Sequence, residues 1–207
     1  VPGSDQIVAS NSYGLEAMLT AAGADVRLLP IARDTEASLM QAFKLAEGAD
    51  LIVTIGGASV GDHDLIAPVT EALGMERAFY KVAMRPGKPL MAGRLGGMAM
   101  IGLPGNPVSA MVCGHVFLRP VLDRMLGLGT RPAPRIEHPL AADIPANGPR
   151  EHYMRARLTD QGVVPAERQD SSLLSVLARA DLLLVRPASD TARKAGDMVP
   201  CIDLNRV

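Results

Sequence analysis

Residues 50–64 read DLIVTIGGASVGDHD. The first six are almost continuously apolar and β-branched. The last nine hold three glycines, a serine and two aspartates, and cannot build a core. A short apolar run with no alternation suits a strand of a parallel sheet covered on both faces. Ligands of such sheets bind outside the carboxyl ends of the strands. The stretch therefore predicts a buried strand that opens into a site. Gly56, Gly57 and Gly61 permit positive φ and close backbone approach, so successive N–H groups beside Ser59 can face an anion. Asp62 and Asp64 offer the hard oxygens that Mg²⁺ prefers alongside phosphate and water. A glycine-rich connection in which Asp62 or Asp64 simply caps the next helix explains the same residues equally well.

Working outward, strand and helix patterns alternate. QIVA (6–9) reads as a short strand, and Asn11 or Ser12 as the cap of a helix stopped by Gly23. DVRLLP (25–30) reads as a strand. Asp34 and Thr35 precede the amphipathic EASLMQAFKLAEG, and Asp64–Leu73 suits a third helix. This is the pattern of an α/β domain with a parallel sheet. FYKVAM, PLMAGR and GMAMIGL follow as short strands, the last two joined by a Gly-Gly turn expected to form a hairpin. In GLPGNPVSAMVCGHVFLRPVLDRMLG, Asn106 is placed as N-cap and Pro107 at the first helical position. Pro120 should kink or interrupt the helix. GLGTRPAPR (127–135) has the composition of a linker. Beyond it, YMRARL, GVVPAE, DLLLVRP and DMVPCIDL read as strands and only SLLSVLARAD as helix. The expected organisation is an α/β domain over 1–130 and a small, mainly β domain over 131–207.

Composition narrows the function. The 207 residues are 48% hydrophobic, but only 3% aromatic, with no Trp and a net charge of −1. Neither stacking platforms nor a basic footprint for nucleic acid is visible. Cys113 and Cys201 lie far apart in apolar contexts, which fits a reducing, cytoplasmic setting better than a disulfide. No apolar run reaches the length of a membrane-spanning helix, and no secretory signal pattern opens the sequence. His63, His115, His138 and His152 show no metal-ligand spacing.

Two further segments could carry chemistry. In LPGNPVSA (103–110) a helix start with free amides follows Pro104, Gly105, Asn106 and Pro107, and could attract an anion; an ordinary capped helix explains it too. In KVAMRPGKP (81–89), Lys81, Arg85 and Lys88 surround a Pro-Gly turn and could neutralise phosphate or another oxyanion, although three cations over eight residues are common on any surface. Asn11 and Asp34 each follow an expected strand and could reach the same rim as Asp62 and Asp64, with capping as the simpler account.

Taken in order, GGASVGDHD, KVAMRPGKP and GLPGNPVSA resemble the signature of the molybdopterin molybdenumtransferases, the MoeA family with its relative, the E domain of gephyrin. Asn11, Arg33–Asp34, SSLLSVLARADLLLVRP and AGDMV extend the similarity over essentially the whole chain. The resemblance implies a molybdopterin-binding domain like that of the molybdopterin adenylyltransferases, followed by a C-terminal β domain. It also implies insertion of molybdenum from molybdate into adenylylated molybdopterin, with release of AMP. Mg²⁺, an elongated homodimer and handover of substrate from the adenylyltransferase belong to the same expectation. Residue by residue, Asp34, Asp62 and Asp64 would hold metal and nucleotide phosphate, and Lys81, Arg85 and Lys88 would form the cationic side. Asn11, Gly56, Gly57, Ser59, Gly61 and Pro104 to Pro107 would line the phosphate or oxyanion end. Arg150, Arg155 and Ser171 match positions facing the pterin cleft. The chain departs from the family at Ala9, usually Asp, and at Arg85, usually Lys. The family's Gly-Asp-Glu-Leu motif and two N-terminal domains would precede Val1, so the chain is expected to be the C-terminal portion of a longer protein. The alternatives are a non-catalytic binding and assembly module of the same fold, or another enzyme on the shared α/β domain. The LPGNP segment and the C-terminal β domain disfavour the latter, and retention of Asp34, Asp62 and Asp64 favours the transferase.

Overall fold

The computed structural model describes residues 10–56 and 65–205; QIVA and the segment 57–64 lie outside them. The architecture is mixed α/β with two sheets. Helices α1 (Ser10–Ala21) and α2 (Glu36–Leu45) precede β1 (Leu51–Ile55), and α3 (Ile66–Ala72) precedes β2 (Glu76–Tyr80). Next come β3 (Met84–Arg85), β4 (Met91–Leu95), β5 (Met98–Leu103) and α4 (Pro107–Cys113). α2 starts where Thr35 Oγ1 accepts the Ser38 N–H at 3.3 Å. Its first turn carries Glu36 and its last Lys44, both favourable to the helix dipole.

The first sheet has the order β1-β5-β4-β2. β1 runs parallel to β5, with Val53 opposite Ile101, as the apolar run required. β4 and β5 form the expected hairpin across Gly96–Gly97, with Gly96 at φ +59°. β2 pairs antiparallel with β4, so β1–β5 is the single parallel pair of this sheet among the described residues. The expectation of a strand at DVRLLP is corrected: it forms no ladder with a described residue. Alternating apolar residues favour a half-buried strand, but a strand also needs a partner edge, which the pattern cannot supply.

Pro120 acts one turn upstream. Having no N–H, it cannot close the ordinary helical bond, and Gly114–Leu118 widens to a π-helical turn in which the Arg119 N–H reaches the Gly114 carbonyl. The helix then continues as α5 (Arg119–Met125).

The second sheet contains β6 (Ile136–Pro139), β7 (Glu151–Thr159), β8 (Gly162–Pro165), β9 (Leu182–Arg186) and β10 (Met198–Asp203). Its order is β3-β7-β9-β10-β6, with β8 also on β7. β3 therefore leaves the first half of the sequence to join this sheet, pairing Met84 with Glu151 and Arg85 with His152. Helix α6 is shorter than SLLSVLARAD suggested, only Leu174–Leu177. The sheet is buried on both faces. Tyr153, Leu183 and Val185 join a core that reaches Leu15, Leu103 and Val112 of the first half. Ala156, Leu182 and Leu184 face a second cluster with Leu140 and Val199. Among the described residues no helix is long and apolar enough to cross a membrane.

Candidate functional site

Parallel pairing ends β1 and β5 side by side, and the rim is built there. The Gly56 N–H donates to the Leu103 carbonyl at 2.9 Å. Gly56 has φ +86°, which a side chain would strain. The two chains nearly touch: a Cβ on Gly105 would stand 3.3 Å from Gly56 Cα. Asn11, near the start of α1, donates from Nδ2 to the Gly105 carbonyl at 2.7 Å. Three of the sequence candidates thus meet at one point. Asn106 occupies the N-cap of α4 and Pro107 its first turn, yet Asn106 makes no side-chain cap bond. Its Oδ1 is buried with no partner among the described residues.

Asp34 does not cap α2, since Thr35 does, and it is exposed. Among the described residues no three His, Cys, Asp or Glu side chains cluster as metal ligands. A magnesium site using Asp34 would need Asp62 and Asp64, which with Gly57, Ser59 and Gly61 lie outside those residues.

KVAMRPGKP folds back on itself. The Lys81 N–H donates to the Leu90 carbonyl at 2.8 Å and the Val82 N–H to the Lys88 carbonyl at 3.1 Å. Lys81 has φ +75°, and its Nζ lies 5.4 Å from the Tyr80 ring centre. Arg85 is carried away from Lys81, into the second sheet.

There it joins a cationic cluster. Arg155 of β7 is wholly buried, at 0% exposure. Gln169 clamps its backbone, accepting the Arg155 N–H at 3.0 Å and donating to its carbonyl at 2.9 Å. Arg155 Nη2 donates to the Asp170 carbonyl at 3.1 Å, while Nε and Nη1 have no partner among the described residues. Burial lowers the Arg155 pKa, the charge of Arg85 lowers it further, and Asp170 opposes both. The neighbouring Asp170 carboxylate is occupied by the Ser172 N–H at 2.8 Å and hydroxyl at 2.7 Å, which hold its pKa down. The hydroxyl bonded in this turn is that of Ser172, next to the expected Ser171.

His152 was set aside in the sequence for want of metal spacing, but belongs to this cluster. It is 7% exposed, and its Nε2 is buried with no partner among the described residues. Burial, then the charges of Arg85, Arg155, Arg186 and Arg150, lower its pKa to about 4. Arg186 is equally buried but satisfied, by Asp190 at 2.7 Å and the carbonyls of Pro145 and Thr191. The segment REHYMRAR (150–157) carried the signal in its density of Arg and His; the register that makes it a cluster is set by β3 and β9.

A cavity of about 760 Å³ lies elsewhere, lined by Met84, Phe117, Pro120, Arg131 and Tyr153 among others, and holds none of the candidates. The buried donors without partners are the chemically demanding feature, because an unsatisfied buried charge calls for a counter-ion.

Residues 3–124 match the family described as "Probable molybdopterin binding domain", and residues 137–204 match "MoeA C-terminal region (domain IV)". The chain belongs to the MoeA family. "Molybdopterin molybdenumtransferase 2" of Mycobacterium tuberculosis is 35% identical over 96% of this chain and 51% of its own length. "Molybdopterin molybdenumtransferase" of Haemophilus influenzae is 38% identical over 60% of this chain and 31% of its own. The molybdopterin biosynthesis MoeA protein of Pyrococcus horikoshii shares the fold, with TM-score 0.77 at 24% identity, over the whole of this chain and 52% of that one. This MoeA-family chain thus spans about half, or less, of these relatives.

Proposed function

We propose that this chain acts in molybdenum cofactor biosynthesis as the C-terminal portion of a molybdopterin molybdenumtransferase. The observation that carries the reading is Arg155, wholly buried, with Nε and Nη1 unpaired among the described residues and within the field of Arg85. Guanidinium donors held dry are matched to a tetrahedral oxyanion, and molybdate is the oxyanion this family's chemistry requires. The rim at Asn11, Gly56, Gly105 and Asn106 would take the phosphates of adenylylated molybdopterin, with Gly57, Ser59 and Gly61 alongside. Lys81 and Lys88 would balance their charge. Arg150 and Ser171 would border the pterin. Asp34, Asp62 and Asp64 would hold Mg²⁺, which would polarise the phosphoanhydride as AMP departs. The chain's own part is to orient the oxyanion against the pterin and to withhold water from it. Homodimer formation, a domain division near residue 130, a cytoplasmic location and receipt of substrate from the adenylyltransferase complete the reading.

The direct test supplies the chain with adenylylated molybdopterin, molybdate and Mg²⁺. AMP release and protein-bound molybdenum are then followed by chromatography and mass spectrometry. Turnover lost in Asp64→Asn and Arg155→Met supports the reading. Molybdate binding with no AMP release, unchanged in Asp64→Asn, would indicate the non-catalytic binding module instead.

A further inference from the structure

Resting on the oxyanion reading above, we propose that Gln169 is a positioning residue of that site. It does not touch the oxyanion, but fixes the place at which Arg155 meets it. The reason lies at one edge of β7. β9 runs along the opposite edge, over 152–156. On the edge in question β3 covers only Glu151 and His152, and β8 covers only 156–159. Among the described residues, 153–155 therefore have no strand beside them on that side.

Backbone groups left open at a strand edge need other partners. Gln169 supplies them for Arg155. Its Oε1 accepts the Arg155 N–H at 3.0 Å. Its Nε2 donates to the Arg155 carbonyl at 2.9 Å and to the Ala166 carbonyl at 2.8 Å. One side chain thus makes the two-bond exchange that a paired residue of an antiparallel strand would make. Both donors of its amide are spent, so it has none to offer a ligand.

The effect is to tie the peptide after β8 to β7. The next residue is Asp170, whose carbonyl takes Arg155 Nη2 at 3.1 Å. Its carboxylate is committed to Ser172. Two successive residues of one loop therefore hold Arg155, one by its backbone and one by its guanidinium. Nε and Nη1 are left with no partner among the described residues. A guanidinium recognises an oxyanion through a rigid fork of donors, so a small displacement forfeits much of the affinity. Without the Gln169 amide the loop is released from the strand edge, and the Asp170 carbonyl no longer aims the guanidinium. Closure of this clamp and binding of the oxyanion are then linked, each favouring the other by one factor.

The test titrates sodium molybdate calorimetrically into the wild-type chain, Gln169→Met and Arg155→Met. Methionine keeps the length of the glutamine and none of its hydrogen bonds. Gln169→Met should bind molybdate about 10–100-fold more weakly than wild type, the loss usual when a residue that orients a ligating group is removed. In the wild type, hydrogen exchange at the Arg155 amide and the Gln169 side-chain amide requires the clamp to open. Saturating molybdate should slow both by that same factor. A glutamine that only braces the fold would leave both rates unmoved. Equal affinity in wild type and Gln169→Met, or exchange indifferent to molybdate, overturns this proposal; binding lost in Arg155→Met then leaves the oxyanion reading intact. Absence of wild-type molybdate binding overturns both. If Gln169→Met does not fold, the wild-type exchange rates decide alone.

Discussion

Replacing Arg155 with Met should make the ligand-free protein more stable while abolishing its oxyanion site. The guanidinium is wholly buried, with Nε and Nη1 unpaired among the described residues. Each unsatisfied buried donor costs about 1–3 kcal/mol. Against this stands one bond, Nη2 to the Asp170 carbonyl at 3.1 Å, worth about 1.5–3 kcal/mol for a charged donor. Arg85 adds like-charge repulsion, and Met keeps most of the apolar stem. The balance favours Arg155→Met by about 1–2 kcal/mol, because replacing a buried charge by an apolar side chain is often stabilising. For a chain of this size that is a rise in Tm of about 2–8 °C. The variant should also bind molybdate at least ~100-fold more weakly, as expected when a buried charged partner is truncated. Urea unfolding and calorimetric titration, side by side, measure both. A variant destabilised by more than about 1 kcal/mol, or binding molybdate as well as wild type, would refute the view that this arginine is kept for a ligand.

Further outcomes follow from the same geometry. His152 titrates near 4 in the fold, below the ordinary value of about 6.5. The unfolded chain therefore takes the proton first, and stability should fall as pH drops from about 6.5 toward 4. The loss should be about 1–2 kcal/mol after allowance for screening; urea titrations from pH 4.5 to 7.5 should show a shallower slope in His152→Gln. Gly105→Ala would press its Cβ to 3.3 Å from Gly56 Cα and should cost about 1–2 kcal/mol by forcing the two strand ends apart. An unaltered Tm would mean that the rim is loosely held. Asp190→Asn leaves buried Arg186 without its carboxylate and should cost about 2–4 kcal/mol, a drop readily seen by calorimetry.

What the sequence could disclose was local. DLIVTI announced a parallel strand because an unbroken apolar run is tolerable only with both faces covered, and β1 pairs with β5 accordingly. Gly96–Gly97 announced a hairpin through its backbone freedom, and Pro120 a helical irregularity through its missing N–H. The meeting of Asn11, Gly56 and Gly105 followed from the rule that parallel strands finish at one edge. The failures concern partners. DVRLLP has a strand's alternation but takes no described neighbour, and β6 (IEHP) is too short and polar to declare itself. His152 and Arg186 were missed because spacing along one chain cannot reveal which residues lie opposite across a ladder. Arg85 came to stand opposite His152 only because β3 crosses into the other sheet.

That crossing has a mechanical consequence. Met84 and Arg85 are knitted to Glu151 and His152 by strand pairing, a link independent of the covalent one through the largely exposed peptide at 127–135. A protease cutting that peptide would leave two fragments still clasped together, migrating as one species until denaturant separates them. Expressed without the preceding residues, the second fragment would bare the start of β7 as an unpaired edge, and such edges recruit strands from other molecules.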